Sequence, residues 1–185
     1  MPHIDLPEGM PGITAGFSFR PETAKPMREL AHVLLHTSGN EGLSSADREL
    51  IASFVSSRND CFFCQTSHSF AAAHLHPEGI DAIDAVCRDY LSAPIPNKLK
   101  ALLAIAEAVQ IDGKRVTKEL VEKAKEAGAT DTDIHDTVLI AAAFCMYNRY
   151  VDGLDTWQPR DTMAYVAMGK RMAEQGYSGE PGPQK

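Results

Sequence analysis

The sequence predicts an all-α protein that folds as a single domain. Apolar residues recur at spacings of three and four through nearly the whole chain, which is the period of an amphipathic helix. No stretch has the sustained alternation of apolar and polar residues that is typical of a strand. The 185 residues, 44% of them hydrophobic, are enough for one ordinary core. The extensive apolar faces also favour contacts between copies of the chain.

Both ends of the chain depart from this pattern. The predicted helical domain lies between an irregular arm over residues 1–21, where prolines and glycines are frequent, and a flexible tail over residues 176–185. The first predicted helix starts at Pro26 and closes near Gly39. A capping box, Ser44 followed three residues later by Asp47, starts the second.

The middle of the chain predicts three more helices. Asp60 is a candidate cap for a helix that continues to Ala73. A second helix covers about Ile80–Tyr90. Prolines at 94 and 96 then break the chain, and an apolar stripe at about Leu99–Val109 predicts the third.

The last part of the chain carries the clearest helix signals. A short helix is predicted from Thr117 to a stop at Gly128. Thr130 and Asp133 form a second capping box, which starts a long helix towards Tyr150. A final helix is predicted over about 161–174.

Charge and hydropathy restrict the classes of partner. The net charge of −7 argues against general binding to nucleic acid or to an anionic membrane, because both favour a basic surface. No apolar run approaches the ~20 residues that cross a bilayer. The first residues lack the basic and apolar regions of a signal peptide, so we expect a cytoplasmic protein. In a reducing compartment a close cysteine pair is more often catalytic or metal-binding than structural.

Such a pair occurs at Cys61 and Cys64, with His68 one turn further on. If a helix starts here, these three side chains share one narrow face. A helix N-terminus lowers the pKa of a cysteine, and an imidazole can accept the thiol proton. A second cysteine nearby can trap a sulfenic acid as a disulfide. This arrangement predicts thiol redox chemistry that needs no cofactor and no metal.

Glu49 lies one helix earlier in the sequence. A carboxylate close to His68 would orient the imidazole and raise its basicity. The spacing alone does not bring the two side chains together, and a solvated position on the helix is the plainer interpretation of Glu49.

One other interpretation of these residues stays open. A zinc site could use Cys61, Cys64 and His68, with a fourth ligand from Glu49, His74 or His76, although a second separated pair of ligands is missing. The protein would then be a zinc-stabilised or ligand-binding helical oligomer without catalysis. The remaining cysteines, Cys87 and Cys145, lie on apolar helix faces and are expected to pack in the core.

The order of these residues resembles a known family. Glu49, eleven intervening residues, then Cys61-x-x-Cys64-x-x-x-His68 resembles the signature of the alkylhydroperoxidase D (AhpD-like) family, within the carboxymuconolactone decarboxylase superfamily. The later segment Asn148–Leu154 resembles the peroxidase-related branch of that family. The resemblance covers roughly residues 43–154. Carboxymuconolactone decarboxylases proper generally lack the CxxC pair, which argues against that activity.

The resemblance implies an all-helical fold, a homo-oligomer that is usually a trimer or hexamer, and a hydroperoxide reductase activity. It implies that Cys64 attacks the peroxide and becomes a sulfenic acid, and that Cys61 supplies a proton and then forms the disulfide. His68 and Glu49 would belong to the proton relay. The implied electron donor is a dithiol, such as a lipoyl-bearing protein. One departure stands out: well-characterised members have a histidine directly before the second cysteine, where this chain has Phe63.

Overall fold

A computed structural model describes residues 1–36 and 42–178, and these residues form helices and connecting segments without a strand. The predicted all-α class is therefore confirmed. None of the described helices has the length and hydropathy to cross a bilayer. The helices are α1 Ile13–Phe19, α2 Pro21–Leu35, α3 Ser45–Arg58, α4 Phe62–Leu75, α5 Gly79–Asp89, α6 Asn97–Ile111, α7 Lys118–Glu126, α8 Asp131–Gly153 and α9 Met163–Gln175, with a 3-10 turn at Gly113–Arg115 between α6 and α7.

Both predicted capping boxes are present. The hydroxyl of Ser44 accepts from the backbone N–H of Asp47 at 3.1 Å, and the Asp47 carboxylate accepts from the N–H of Ser44. Thr130 and Asp133 make the same reciprocal pair at the start of α8. Each box satisfies backbone donors that the first turn of a helix cannot pair, which typically contributes about 1 kcal/mol.

The N-terminal arm differs from the prediction. Residues 13–19 form α1, and α2 starts at Pro21, with Pro26 inside the helix. Pro21 fills the first helical position, where a missing N–H costs nothing. Pro26 follows in the second turn, on the exposed side of α2, so the single hydrogen bond it removes faces solvent. The predicted stop at Gly39 lies outside the described residues.

Helix α3 is the centre of the core, because every residue from Arg48 to Ser56 is buried. It packs against α4, α6 and α8, while α4 also packs against α5 and α9. The guanidinium of Arg48 is 1% exposed and donates to the carbonyls of Leu34 and Leu43 and to the carboxylate of Asp136. These bonds connect α2, α3 and α8 around the position where Glu49 enters the core.

The arm packs onto the rest of the molecule through close glycine contacts. Gly12 has a φ of +53°, and a Cβ added there would overlap the ring of Phe63. The N–H of Gly12 donates to the carbonyl of Trp157 at 2.8 Å. Only glycine combines this backbone conformation with so close an approach. The arm therefore lies directly over the start of α4.

The first residues of the predicted tail make contacts with the helices. Gly176 is buried, and the backbone N–H of Tyr177 donates to Nδ1 of His32 at 3.1 Å. The half-buried ring of Tyr177 turns back towards α3 and α4. Residues 179–185 lie outside the described part of the chain.

Candidate functional site

The turn between α3 and α4 sets the position of the cysteine pair. The N–H groups of Asp60 and Cys61 donate back to the carbonyls of Ser57 and Ser56, at 3.2 and 3.1 Å. This is the hydrogen-bond pattern of a Schellman motif, with Asp60 in the left-handed conformation at φ 57°. The predicted cap at Asp60 is therefore wrong: Asp60 ends α3, and Cys61 is the N-cap residue of α4.

Cys61 and Cys64 are both free thiols, and both are buried. Cys61 is 0% exposed and Cys64 is 4% exposed. A hydrogen bond to the Cys64 side chain raises the pKa of Cys61, and burial and the Cys64 charge add to the shift. Cys61 is therefore held as a thiol, and a thiolate on Cys64 would have Cys61 as its hydrogen-bond donor.

The structure brings Glu49 and His68 together. Oε2 of Glu49 lies 2.7 Å from Nδ1 of His68, and the two residues are 2% and 8% exposed. Because an ionised carboxylate only accepts hydrogen bonds, this contact favours the tautomer that carries the proton on Nδ1. In the described part of the chain no side chain bonds the other ring nitrogen, Nε2.

Tyr177 is a member of this cluster that the sequence analysis missed. Its hydroxyl donates to Oε1 of Glu49 in a short hydrogen bond and lies 3.4 Å from Nδ1 of His68. Its ring stacks on the His68 ring at a centroid distance of 5.9 Å. Burial raises the pKa of Tyr177 well above its ordinary value, and the charge of Glu49 adds to this shift. Nothing in the local sequence around residue 177 signals the contact, since the residue lies in a Gly- and Pro-rich tail.

A cavity of about 110 Å³ opens on the cysteine and histidine of α4. Cys64 and His68 both line it, and Cys61 does not. The remaining wall is mostly apolar and comes from α1, α2, α8 and α9, with Ile13, Phe17, Met27, Phe144 and Met168 among its residues. The cavity is large enough for several water molecules.

The residue directly before the second cysteine, Phe63, also lines this cavity. Its ring packs edge-on against Tyr165 at 5.9 Å and lies beneath Gly12. The position that holds a histidine in well-characterised AhpD-like proteins is therefore an apolar contact between the N-terminal arm and α9. No titratable side chain replaces it at this position.

The segment Asn148–Leu154 holds the α3–α4 turn. The side-chain amide of Asn148 donates to the Ser56 hydroxyl at 3.0 Å and accepts from the Asn59 amide at 2.7 Å. Val151 packs against Cys61. Burial raises the pKa of the Asp152 carboxyl group, and the neighbouring Cys61 side chain opposes this shift. This segment therefore fixes the position of the cysteine at the helix start.

The other candidate ligands and cysteines lie apart from this cluster. His74 is paired with Glu174 at 3.3 Å, on the side of α4 near its end. Across the described ranges, no group of three or more histidine, cysteine or acidic side chains is arranged to hold a metal ion. Cys87 and Cys145 are each 7% exposed and belong to the main core, as predicted.

Comparison with known proteins gives structural neighbours. No protein-family model matches the sequence, and no curated protein matches it. A peroxidase-related protein with an AhpD core from Ralstonia eutropha has a TM-score of 0.74 and 25% identity, over 87% of this chain and 82% of its own. A peroxidase-related protein from Silicibacter has a TM-score of 0.75 and 23% identity, over 88% and 82%. A protein of unknown function from Agrobacterium tumefaciens that carries the AhpD name has a TM-score of 0.67 and 19% identity, over 79% and 97%.

Proposed function

We propose that this chain, an AhpD-like protein, is a thiol-dependent hydroperoxide reductase that uses Cys64 and Cys61 as its redox pair. One observation carries the proposal. Cys64 opens onto a cavity that it shares with His68, and His68 is bonded to the buried carboxylate of Glu49. The peroxidase-related neighbours are consistent with this activity.

In the first step the sulfur of Cys64 attacks the outer oxygen of a hydroperoxide. The S–O bond forms, the O–O bond breaks, and the alkoxide leaves as the alcohol after taking up one proton. Cys64 becomes a sulfenic acid, so the sulfur is oxidised by two electrons and the peroxide is reduced by two. Cys64 is assigned to this step because it is the cysteine that reaches the cavity.

In the second step the thiol of Cys61 attacks the Cys64 sulfenic acid. The S–S bond forms, the S–O bond breaks, and the thiol proton leaves with the hydroxyl group as water. The raised pKa of Cys61 suits this order, because Cys61 stays protonated while Cys64 reacts first. An external dithiol of the lipoyl type then reduces the disulfide through a mixed disulfide and is itself oxidised to a disulfide.

Glu49 and His68 serve as the proton relay in this proposal. The Nδ1 proton is held on the Glu49 side, so Nε2 is the atom that can accept a proton from the cavity. Within the described residues there is no direct hydrogen bond between Cys64 and His68. The proton of Cys64 would therefore pass through the bound peroxide or through a water molecule in the cavity.

Peroxide turnover with dihydrolipoamide as the donor tests the activity. We expect the native protein to reduce a hydroperoxide, and one equivalent of peroxide to consume two thiols per chain. Cys64→Ser should abolish both the turnover and this loss of thiols. Cys145→Ser is the matched control, because it also removes a buried thiol but lies in the main core. Retention of the Cys61 and Cys64 thiols after a stoichiometric amount of peroxide would overturn the proposal.

The protein is further proposed to act in the cytoplasm and as a homo-oligomer. Exposed large apolar side chains support self-association, among them Leu91 at 65%, Val33 at 59% and Trp157 at 53% exposure. Light scattering of the purified protein measures the mass directly. A monomer at all working concentrations would contradict the oligomer.

A further inference from the structure

The cavity beside Cys64 is lined by two positively charged side chains. Arg28, from α2, and Arg171, from α9, both line it, and none of its lining residues in the described part of the chain is an aspartate or a glutamate. The other groups in the lining are apolar, apart from the small set of hydroxyls and the Cys64 and His68 side chains. A cavity lined by two arginines, with no carboxylate among its described lining residues, favours a ligand that brings its own negative charge.

Neither of these arginines is paired with a carboxylate in the described part of the chain. Arg28 stacks on the ring of Phe17, 5.0 Å from its centroid, and neither Arg28 nor Arg171 forms an ion pair there. In contrast, Arg48 and Arg58 are paired with carboxylates of α8 and α6, at 2.6 and 3.1 Å. The charge of Arg28 and Arg171 is therefore available to a bound molecule.

The charge of Arg171 acts inside the site. Its positive charge lowers the pKa of Tyr177, against the larger effects of burial and Glu49. Tyr177 is the residue whose hydroxyl contacts Glu49 and His68. An anion held by Arg171 would therefore lie close to the reacting groups, and would not be bound at a remote surface.

We propose that the cavity selects hydroperoxides of aliphatic carboxylic acids. The carboxylate binds the guanidinium groups of Arg28 and Arg171, which match its planar geometry. The aliphatic chain lies along apolar residues such as Phe17, Met27 and Phe144. The hydroperoxide group is then presented to Cys64. This inference names the substrate class of the proposed peroxidase and rests on that function for its chemical step.

Binding without turnover tests the recognition separately from the peroxidase activity. Titration of Cys64→Ser protein with decanoate and with decanol compares the same chain with and without a carboxylate. We expect decanoate to bind at least about ten-fold more tightly, since a charge-assisted hydrogen bond is lost with the alcohol. The preference should disappear in Arg28→Met/Arg171→Met. Equal binding of the acid and the alcohol would overturn the inference, whether or not the protein reduces peroxides.

Kinetics then separates the substrate from the electron donor, because dihydrolipoate also carries a carboxylate. With dihydrolipoamide as donor, we expect Arg28→Met/Arg171→Met to lower kcat/KM by about ten-fold or more for a fatty-acid hydroperoxide, and by less than about two-fold for the neutral cumene hydroperoxide. Arg28→Lys/Arg171→Lys should recover part of the loss. A loss that appears only when dihydrolipoate replaces dihydrolipoamide would assign the arginines to the donor and overturn the proposed substrate.

Arg160→Met is the matched control for both experiments. Arg160 also stacks on a phenylalanine, 4.9 Å from the ring centroid of Phe62, but it does not line the cavity. We expect this variant to keep the preference for decanoate. The same loss of preference in Arg160→Met would indicate a general surface-charge effect and contradict a specific site.

Discussion

The hydroxyl of Tyr177 donates a hydrogen bond to the buried carboxylate of Glu49, which lies 128 residues away along the chain. His68 contacts the other oxygen of the same carboxylate at 2.7 Å. Glu49 therefore has a donor on each oxygen, and the C-terminal segment closes the site. A carboxylate buried to this degree requires such partners, because an unpaired charge in the core is strongly unfavourable.

Replacement of Tyr177 by phenylalanine should slow the oxidation of Cys64. The hydroxyl donates to Oε1 of Glu49, whose other oxygen is bonded to His68. Its loss leaves one oxygen of a buried carboxylate without a donor, which weakens the pair that orients the imidazole. We expect the rate of disulfide formation after a peroxide pulse, measured near neutral pH, to fall.

Tyr90→Phe is the control for this experiment. Its hydroxyl is also bonded to a carboxylate, that of Glu107 at 3.4 Å, but it lies outside the site. A purely structural role of the Tyr177 hydroxyl would lower stability without changing the rate of Cys64 oxidation. An unchanged rate in Tyr177→Phe would therefore contradict a role in the relay.

Gly12 should be essential for the packing of the N-terminal arm over α4. Gly12→Ala adds a Cβ that overlaps the Phe63 ring, at a φ that is also unfavourable for alanine. We expect a loss of about 1–3 kcal/mol in the free energy of unfolding, measured by urea denaturation.

Gly9→Ala separates the two causes. Gly9 also has a positive φ, +75°, but a Cβ there would meet no atom within 4 Å. The difference between the two variants measures the contact with Phe63 alone. Equal losses in both would mean that the arm does not pack tightly on α4.

The buried tyrosines should make the protein less stable at alkaline pH. Burial raises the pKa of Tyr147 and of Tyr165 to about 12 each. An unfolded tyrosine ionises near pH 10. Between about pH 10 and 12 the unfolded chain therefore binds fewer protons than the folded chain, so the free energy of unfolding falls as the pH rises.

Urea denaturation of the native protein and of Tyr165→Phe at about pH 9 and 11 measures this effect. The variant loses the hydrogen bond from Tyr165 to the carbonyl of Pro159, so it should be less stable at pH 9. Its stability should nevertheless depend less steeply on pH. The same slope in both proteins would show that Tyr165 ionises in its ordinary range.

The sequence predicted the parts of this structure that depend on local signals. The capping boxes at Ser44 and Thr130 were predicted because two residues three positions apart suffice to form them. The position of Cys61 and Cys64 at the start of a helix was predicted for the same reason. Asp60 was misinterpreted because a left-handed aspartate that ends one helix and a capping aspartate that starts the next have the same sequence signature.

The parts that were missed depend on contacts between distant segments. Tyr177 reaches Glu49 only because α9 packs against α4, and no periodicity in the tail encodes that contact. The proximity of Glu49 to His68 was an expectation from the family resemblance, since the residues themselves only place a carboxylate one helix earlier. Arg28 is another case: its place in the cavity depends on the packing of α2 against α1, α3 and α8, which no local pattern encodes.

Phe63→His should increase the rate at which Cys64 reacts with peroxide. Phe63 lines the cavity next to the cysteine, so an imidazole at this position would add a second group that can accept the thiol proton. We expect a gain of about ten-fold near neutral pH, below the full range for general acid–base catalysis because His68 already serves the site. The variant should also be less stable, because the apolar contacts with Gly12 and Tyr165 are weakened.

Phe62→His is the control, since Phe62 packs on the same Tyr165 ring at 6.0 Å but does not line the cavity. It should lose stability without a gain in rate. Stopped-flow measurement of thiol loss gives the rate for each variant at matched peroxide concentration. A rate for Phe63→His no higher than that of Phe62→His would mean that proton transfer does not limit the reaction of Cys64, and that the apolar residue at position 63 does not restrict the proposed activity.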